Sequence, residues 1–159
     1  MNVLIISNMY PSEEKPYAGI FVKNQFEYLR ENFTPSPIRK VSIFYMKRTF
    51  TSKAGSILKY LMAFLRFTPL FFRKYHVLHV HYFFPLFLAA YLYKQLRPST
   101  KIVVTFHGSD IYTHLANPKV AKLFQTLAKA IDYGIAVGND LSKDIALKLG
   151  LQVKQVLSA

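Results

Sequence analysis

Short apolar runs alternate with helical periodicities along the whole chain, and that alternation restricts the fold more than any other feature. Asn2 to Ser7 is a continuous apolar run ended by the turn-rich Asn8-Met9-Tyr10-Pro11-Ser12, the pattern of a strand buried on both faces. Val22, Phe26, Leu29 and Phe33 then recur at helical spacing and predict a helix starting near Gly19. Strand-like runs return at Val41 to Tyr45, Val77 to Tyr82, Lys101 to Phe106 and Tyr133 to Val137, with helical stretches between them. Asn117 followed by Pro118 opens a helix with Val120, Leu123, Phe124, Leu127 and Ile131 on one face. Asn139 opens another, Gly150 closes it, and Val153 to Leu157 reads as a sixth strand. Such a chain folds as an α/β protein: a doubly wound, Rossmann-like sheet of mainly parallel strands with helices on both faces. Ligands of such sheets bind at the carboxyl ends of the strands. Ser7 to Gly19, Tyr82 to Pro85, His107 to Asp110 and Gly138 to Asp140 would all lie there.

At 159 residues the chain is a single domain, 1–159, and 52% hydrophobic residues with 18% charged give it a real core. The absence of cysteine excludes a disulfide framework, a zinc finger, an iron–sulfur cluster and a cysteine nucleophile, and slightly favours a reducing compartment. Charge is lopsided: 21 Lys and Arg against 8 Asp and Glu give +13. No acid occurs between Glu31 and Asp110, a stretch that holds Lys59, Arg66, Arg73 and Lys74 among its cations. Such a field attracts nucleic acid, anionic lipid or a phosphorylated small molecule. The first residues lack the basic leader of a secretory signal, so a cytoplasmic protein is expected. Tyr75 to Tyr93 is uncharged for about a membrane span, yet His76, His79, His81 and Pro85 within it favour strand, turn and helix.

Several residues at the expected rim could carry chemistry. Gly19 is either a helix-start glycine or a place where backbone N–H groups face a phosphate. Neither G-x-G-x-x-G nor the P-loop pattern is present. His107-Gly108-Ser109-Asp110 follows a strongly apolar strand, which puts an imidazole and a carboxylate at a strand tip. Asp110 could orient the imidazole or simply cap the next segment; Ser109 is in no nucleophile elbow. His79 and His81, two apart on one strand, share a face, with one expected to pack in the sheet and His81 to reach the rim. A metal site there would lack acids and cysteines to complete it. His76 and His114 read as ordinary, partly exposed histidines.

Ile57 to Phe72 is the least ordinary segment. Lys59 and Arg66 share a helix face, apolar residues cover most of the rest, and Pro69 should kink or end the helix. Two readings stand: a basic amphipathic element in a membrane interface, aided by Arg73 and Lys74, or a helix between the sheet and a neighbouring domain.

Taken together, Asn8-Met9-Tyr10-Pro11 through Gly19-Ile20-Phe21-Val22, then His79-Val80-His81-Tyr82 with Pro85, then Thr105-Phe106-His107-Gly108-Ser109-Asp110 resemble the N-terminal, acceptor-side domain of GT-B-fold, retaining glycosyltransferases of family 4. The tail, from Ala136-Val137-Gly138-Asn139 to Val156-Leu157-Ser158-Ala159, also resembles the last strand-helix-strand of that domain. The resemblance implies a hexosyltransferase that moves a sugar from a nucleotide-sugar to a lipid-linked or polysaccharide acceptor in bacterial surface glycan synthesis, with no metal or other cofactor. It places His107 beside the donor sugar with Asp110 supporting its loop. Gly19 would lie near the diphosphate or acceptor, and His81, Ser109 and Asn139 at the same donor or acceptor rim. It also implies a C-terminal, donor-binding domain that these residues do not contain, so the expectation is a half-enzyme, inactive alone and peripheral on the inner face of the cell membrane. The alternative is a non-catalytic, basic membrane-docking or nucleic-acid-binding module. No nucleic-acid motif supports the latter, so no nucleic acid is expected as a partner.

Overall fold

A computed structural model describes residues 1–32, 37–47, 53–113, 115 and 117–155. Its centre is a six-stranded sheet made of β1 (Asn2–Ser7), β2 (Lys40–Tyr45), β3 (Val77–His81), β4 (Lys101–Phe106), β5 (Tyr133–Ala136) and β6 (Val153–Gln155). The strand order is β2-β1-β3-β4-β5-β6 and every neighbouring pair is parallel. The order reverses direction between β1 and β3, the switch point at which a doubly wound sheet opens a crevice. The register aligns Ser7 with both Tyr45 and His81, and His81 with Thr105, so the loops that follow these strands emerge side by side.

The connecting helices are α1 (Ile20–Glu31), α2 (Lys53–Phe67), α3 (Phe87–Leu96), a short α4 (Ser109–Tyr112), α5 (Pro118–Ala128) and α6 (Asn139–Leu149). Alternate strand residues divide between two cores. Val3, Ile5 and Val41 pack with Val22 of α1 on one face. Leu4, Ile6, Leu78, Val80, Val104 and Phe106 meet α2, α3, α5 and α6 on the other. Right-handed crossovers explain the asymmetry: the chain moves one way from β1 to β2 and the opposite way at every later step. The larger core holds an aromatic cluster in which Phe83 lies against Phe87, Phe106 and Phe124. Each such side chain, when fully buried, contributes about 1.5–3 kcal/mol of transfer free energy.

Most boundaries follow the sequence pattern, and the departures have physical causes. β3 ends at His81 because Tyr82 adopts φ +68°, a left-handed conformation that no strand continues. Leu123, expected on the buried face of α5, is about half exposed, while Phe124 and Leu127 beside it fill that face. Asn139 is not the cap of α6: Gly138, in extended conformation, holds that position and Asn139 is the first helical residue. Helix α2 stops at Phe67, and Thr68 to Phe72 tighten into a 3₁₀ turn around Pro69. Phe33, His114 and the end of the sixth strand, Val156 and Leu157, lie outside the described residues, as do Ser158 and Ala159.

Candidate active site

The loop from β1 to α1 ends at Gly19, whose φ of +72° places it in the left-handed region. A β-carbon there would sit 2.7 Å from the Met9 carbonyl oxygen, so both the turn and its close approach to the preceding loop require glycine. Phe21, two residues later, turns its ring onto His107 at 4.6 Å between centroids. The ring of Tyr82 lies 4.4 Å from that of His107. The start of α1, the end of β3 and the end of β4 therefore converge on one imidazole, with a left-handed non-glycine residue stored beside it.

Behind His107 lies a buried polar ladder. His81, only 3% exposed, has Nδ1 3.3 Å from Nε2 of His107 and Nε2 2.7 Å from Oε1 of Gln25 on α1. His79 is stacked on His81 at 4.5 Å, and its Nε2 is 2.8 Å from the Thr105 hydroxyl. Burial pushes the imidazoles of His79 and His107 down to about 4 and that of His81 to about 2; neighbouring imidazoles add to the shift for His79 and His81. All three are neutral at pH 7. Both ring nitrogens of His81 are engaged in hydrogen bonds. Among the described residues, no group of three or more metal-ligating side chains is placed to hold a metal ion.

One expectation about this region needs correction. His81, expected to reach the rim, is instead enclosed at the end of β3 beside His107. Gln25, absent from the sequence reading, completes the ladder; it looked like one more polar residue on the outer face of a helix, and only the packing of α1 against β3 brings it to His81. Asp110 lies in the first turn of α4 beside exposed Ser109, and the Tyr112 hydroxyl donates to Asp144, tying α4 to α6. Asn139 is exposed at the start of α6, after the neighbouring strand. Next to the ladder, at the ends of β1 and β2, a cavity of about 560 Å³ is lined by Asn8, Tyr10, Glu13, Tyr45 and Lys47 among others, with Tyr10 stacked on Tyr45 at 4.4 Å.

The four cations singled out in the sequence lie elsewhere. Lys59 and Arg66 are on α2, where they sit over the rings of Tyr60 and Phe44. Arg73 and Lys74 are at the opposite end of the sheet, where the Lys74 carbonyl accepts a hydrogen bond from the Asn2 side chain.

Residues 5–156 match the family described as Glycosyltransferase Family 4. The chain belongs to that family. No individual curated protein matches the sequence significantly. A glycosyltransferase needs a sugar donor and an acceptor, and the sheet is the Rossmann-like half of a GT-B fold. In this glycosyltransferase family domain the rings of Phe21 and Tyr82 gather on His107, with the Gly19 turn two residues before Phe21.

Proposed function

We propose that the domain forms the acceptor-side wall of a nucleotide-sugar-dependent, retaining hexosyltransferase that builds bacterial surface glycans, with a lipid-linked or polysaccharide acceptor. The observation that carries this reading is the convergence of the Gly19 turn and the His107 imidazole at the switch point of the sheet in a family 4 domain. In this reading a second Rossmann-like domain grips most of the nucleotide. Here His107 faces the donor sugar, and the Gly19 turn lies against the diphosphate or the acceptor. Ser109, Asp110 and Asn139 border the same edge. The Tyr10 and Tyr45 cavity offers an aromatic floor and polar walls suited to an acceptor glycan. Transfer breaks the bond from the anomeric carbon to the nucleoside diphosphate and forms one to an acceptor hydroxyl on the same face of the ring. The domain's share is positioning and electrostatic stabilisation, with no metal or other cofactor required of it.

The membrane enters this reading through α2. Ala63 and Phe67 are buried against the sheet, while Ile57, Leu58, Leu61, Met62 and Leu65 form an exposed stripe on the other side. At 100° per residue that stripe covers an arc of about 140°. No helix among the described residues is long and apolar enough to cross a membrane. An apolar stripe flanked by Lys59 and Arg66 in an acid-free stretch supports peripheral attachment to the anionic inner face of the cell membrane, where lipid-linked acceptors reside.

The test is His107→Ala in this domain joined to a donor-binding domain of the family. Turnover should fall roughly 10 to 1000-fold, the range for losing one positioning or electrostatic contact, with folding retained. Unchanged turnover would remove His107 from the site.

A further inference from the structure

We propose that Phe72 is a rigid anchor that inserts into the interface of an anionic bilayer, and that side chains of α3 hold it ready to do so. The inference rests on the membrane attachment proposed for α2 and adds a second element to it. Thr68 to Phe72 form the 3₁₀ turn that leads from α2 toward β3. Leu70 and Phe71 pack against the core, whereas Phe72 is turned away from it. Among the described residues no large apolar residue is more exposed than Phe72, at 88%. A single exposed apolar side chain is ordinary on a protein surface, but the setting of this one is not.

The backbone on both sides of Phe72 is pinned to α3. Nη2 of Arg97 donates to the Phe71 carbonyl at 3.0 Å, and the Tyr93 hydroxyl donates to the Arg73 carbonyl at 2.7 Å. That hydroxyl also accepts from the backbone N–H of Tyr75 at 2.9 Å, and the Arg73 N–H closes the turn onto the Leu70 carbonyl. Tyr93 is fully buried, and the Phe71 ring packs on those of Phe67 and Tyr93. An anchor that is already ordered loses little conformational freedom on insertion, which separates it from an aromatic ring on a loose segment. Arg73 and Lys74 follow it, both exposed, and no acid lies between Glu31 and Asp110. Cations beside an apolar tip match a bilayer surface, where acyl chains lie directly beneath anionic headgroups.

Two points of attachment also fix an orientation. α2 has 15 residues, about 22 Å of helix, and its exposed stripe runs down to the end from which the turn departs. Engaging the stripe and Phe72 together lays α2 flat on the surface. Because α2 joins the end of β2 to the start of β3, which runs the same way, it travels back along the sheet, and the strands lie along the membrane with it. The crevice at the carboxyl ends of the strands then opens along the surface, within reach of a lipid-linked acceptor.

The chain has no tryptophan, so Phe72→Trp places a single reporter at the tip. With vesicles of equal phosphatidylcholine and phosphatidylglycerol, its emission should shift to the blue and be quenched by brominated acyl chains. Emission that stays that of a water-exposed indole while the protein co-sediments would overturn the proposal. Phe72→Ala in residues 1–159 should weaken partitioning at least about tenfold, the low end of what burying one Phe side chain supplies. Tyr93→Phe keeps every charge and the exposed ring but frees the turn, and partitioning should fall roughly two- to tenfold. Equal partitioning of Tyr93→Phe and the unaltered chain would overturn the role given to α3. Failure of the unaltered chain to bind these vesicles would overturn the attachment through α2 and this inference together. Binding that Leu61→Asp with Leu65→Asp abolishes, and that Phe72→Ala leaves untouched, would keep the first and overturn the second.

Discussion

The buried imidazoles carry a thermodynamic consequence that their sequence neighbours do not reveal. His79, His81 and His107 have pKa values held below the ordinary 6.5 by burial, so each binds its proton more readily in the unfolded chain than in the fold. Between pH 6.5 and about 4 the unfolded state therefore binds more protons, and stability falls as pH falls. Each group contributes at most about 1.4 kcal/mol per pH unit, and partial exposure of His107 reduces its share. Stability to urea should thus be full above pH 7 and should drop by a few kcal/mol by pH 5, in a window where carboxylates of ordinary pKa stay ionised. His79→Gln, though less stable overall, should show a flatter pH dependence. The same slope in both proteins would assign the acid sensitivity to other groups. His81 and His107 were legible in the sequence because apolar strands ran into them, and the strand tip is where a doubly wound sheet displays its side chains. Gln25 was not legible, since its partner stands 56 residues away and only the crossover from β1 to α1 closes that distance.

Helix α2 shows what pattern reading yields for one element and what it leaves undetermined. The sequence displayed an apolar surface nearly all round with Lys59 and Arg66 on one side, and Pro69 announced the helix end that the structure places at Phe67. Periodicity could not choose which apolar half faced the sheet, because both halves satisfy it. The structure makes the choice: Ala63 and Phe67 turn inward, and Ile57, at 73% exposed, and Leu65, at 60%, face out. Phe72, 88% exposed, prolongs the apolar surface past the helix toward Arg73 and Lys74. Attachment to vesicles should therefore have two separable parts. Each cation near an anionic surface contributes about 1 kcal/mol and is screened as salt rises. Co-sedimentation should increase with anionic lipid fraction and fall with salt. Replacing Lys59, Arg66, Arg73 and Lys74 with Gln should remove that dependence. Leu61→Asp with Leu65→Asp should abolish binding at any salt while leaving the core intact. No binding to either neutral or anionic vesicles would make the stripe a protein-docking face.

On the scale of the whole molecule, layering and function are linked by one topological fact. Because the crossovers after β2 all run one way, α1 is left on the opposite face from the other long helices, and its first turn is free to meet the ends of β3 and β4. That gives one wall of a crevice, built from neutral imidazoles, two aromatic rings and a glycine turn. Transfer from a nucleotide-sugar demands more. A departing diphosphate must be met by preorganised cations or dipoles in a site that excludes water, and that term is the largest part of most rate enhancements. The imidazoles at this edge are uncharged at pH 7 and so supply little of it. With the nucleotide gripped by a second domain, as proposed, residues 1–159 alone should bind a nucleotide-sugar with a Kd of roughly 1 mM or weaker, about −4 kcal/mol. Amide shifts on titration should concentrate at Gly19, Phe21, Tyr82 and the loop from His107 to Ser109. No sugar transfer should be detectable from the isolated domain, and joining it to a family donor-binding domain should bring transfer within measurement. Turnover by purified residues 1–159, or micromolar binding with shifts centred away from His107, would mean that the crevice edge is not half of a catalytic site.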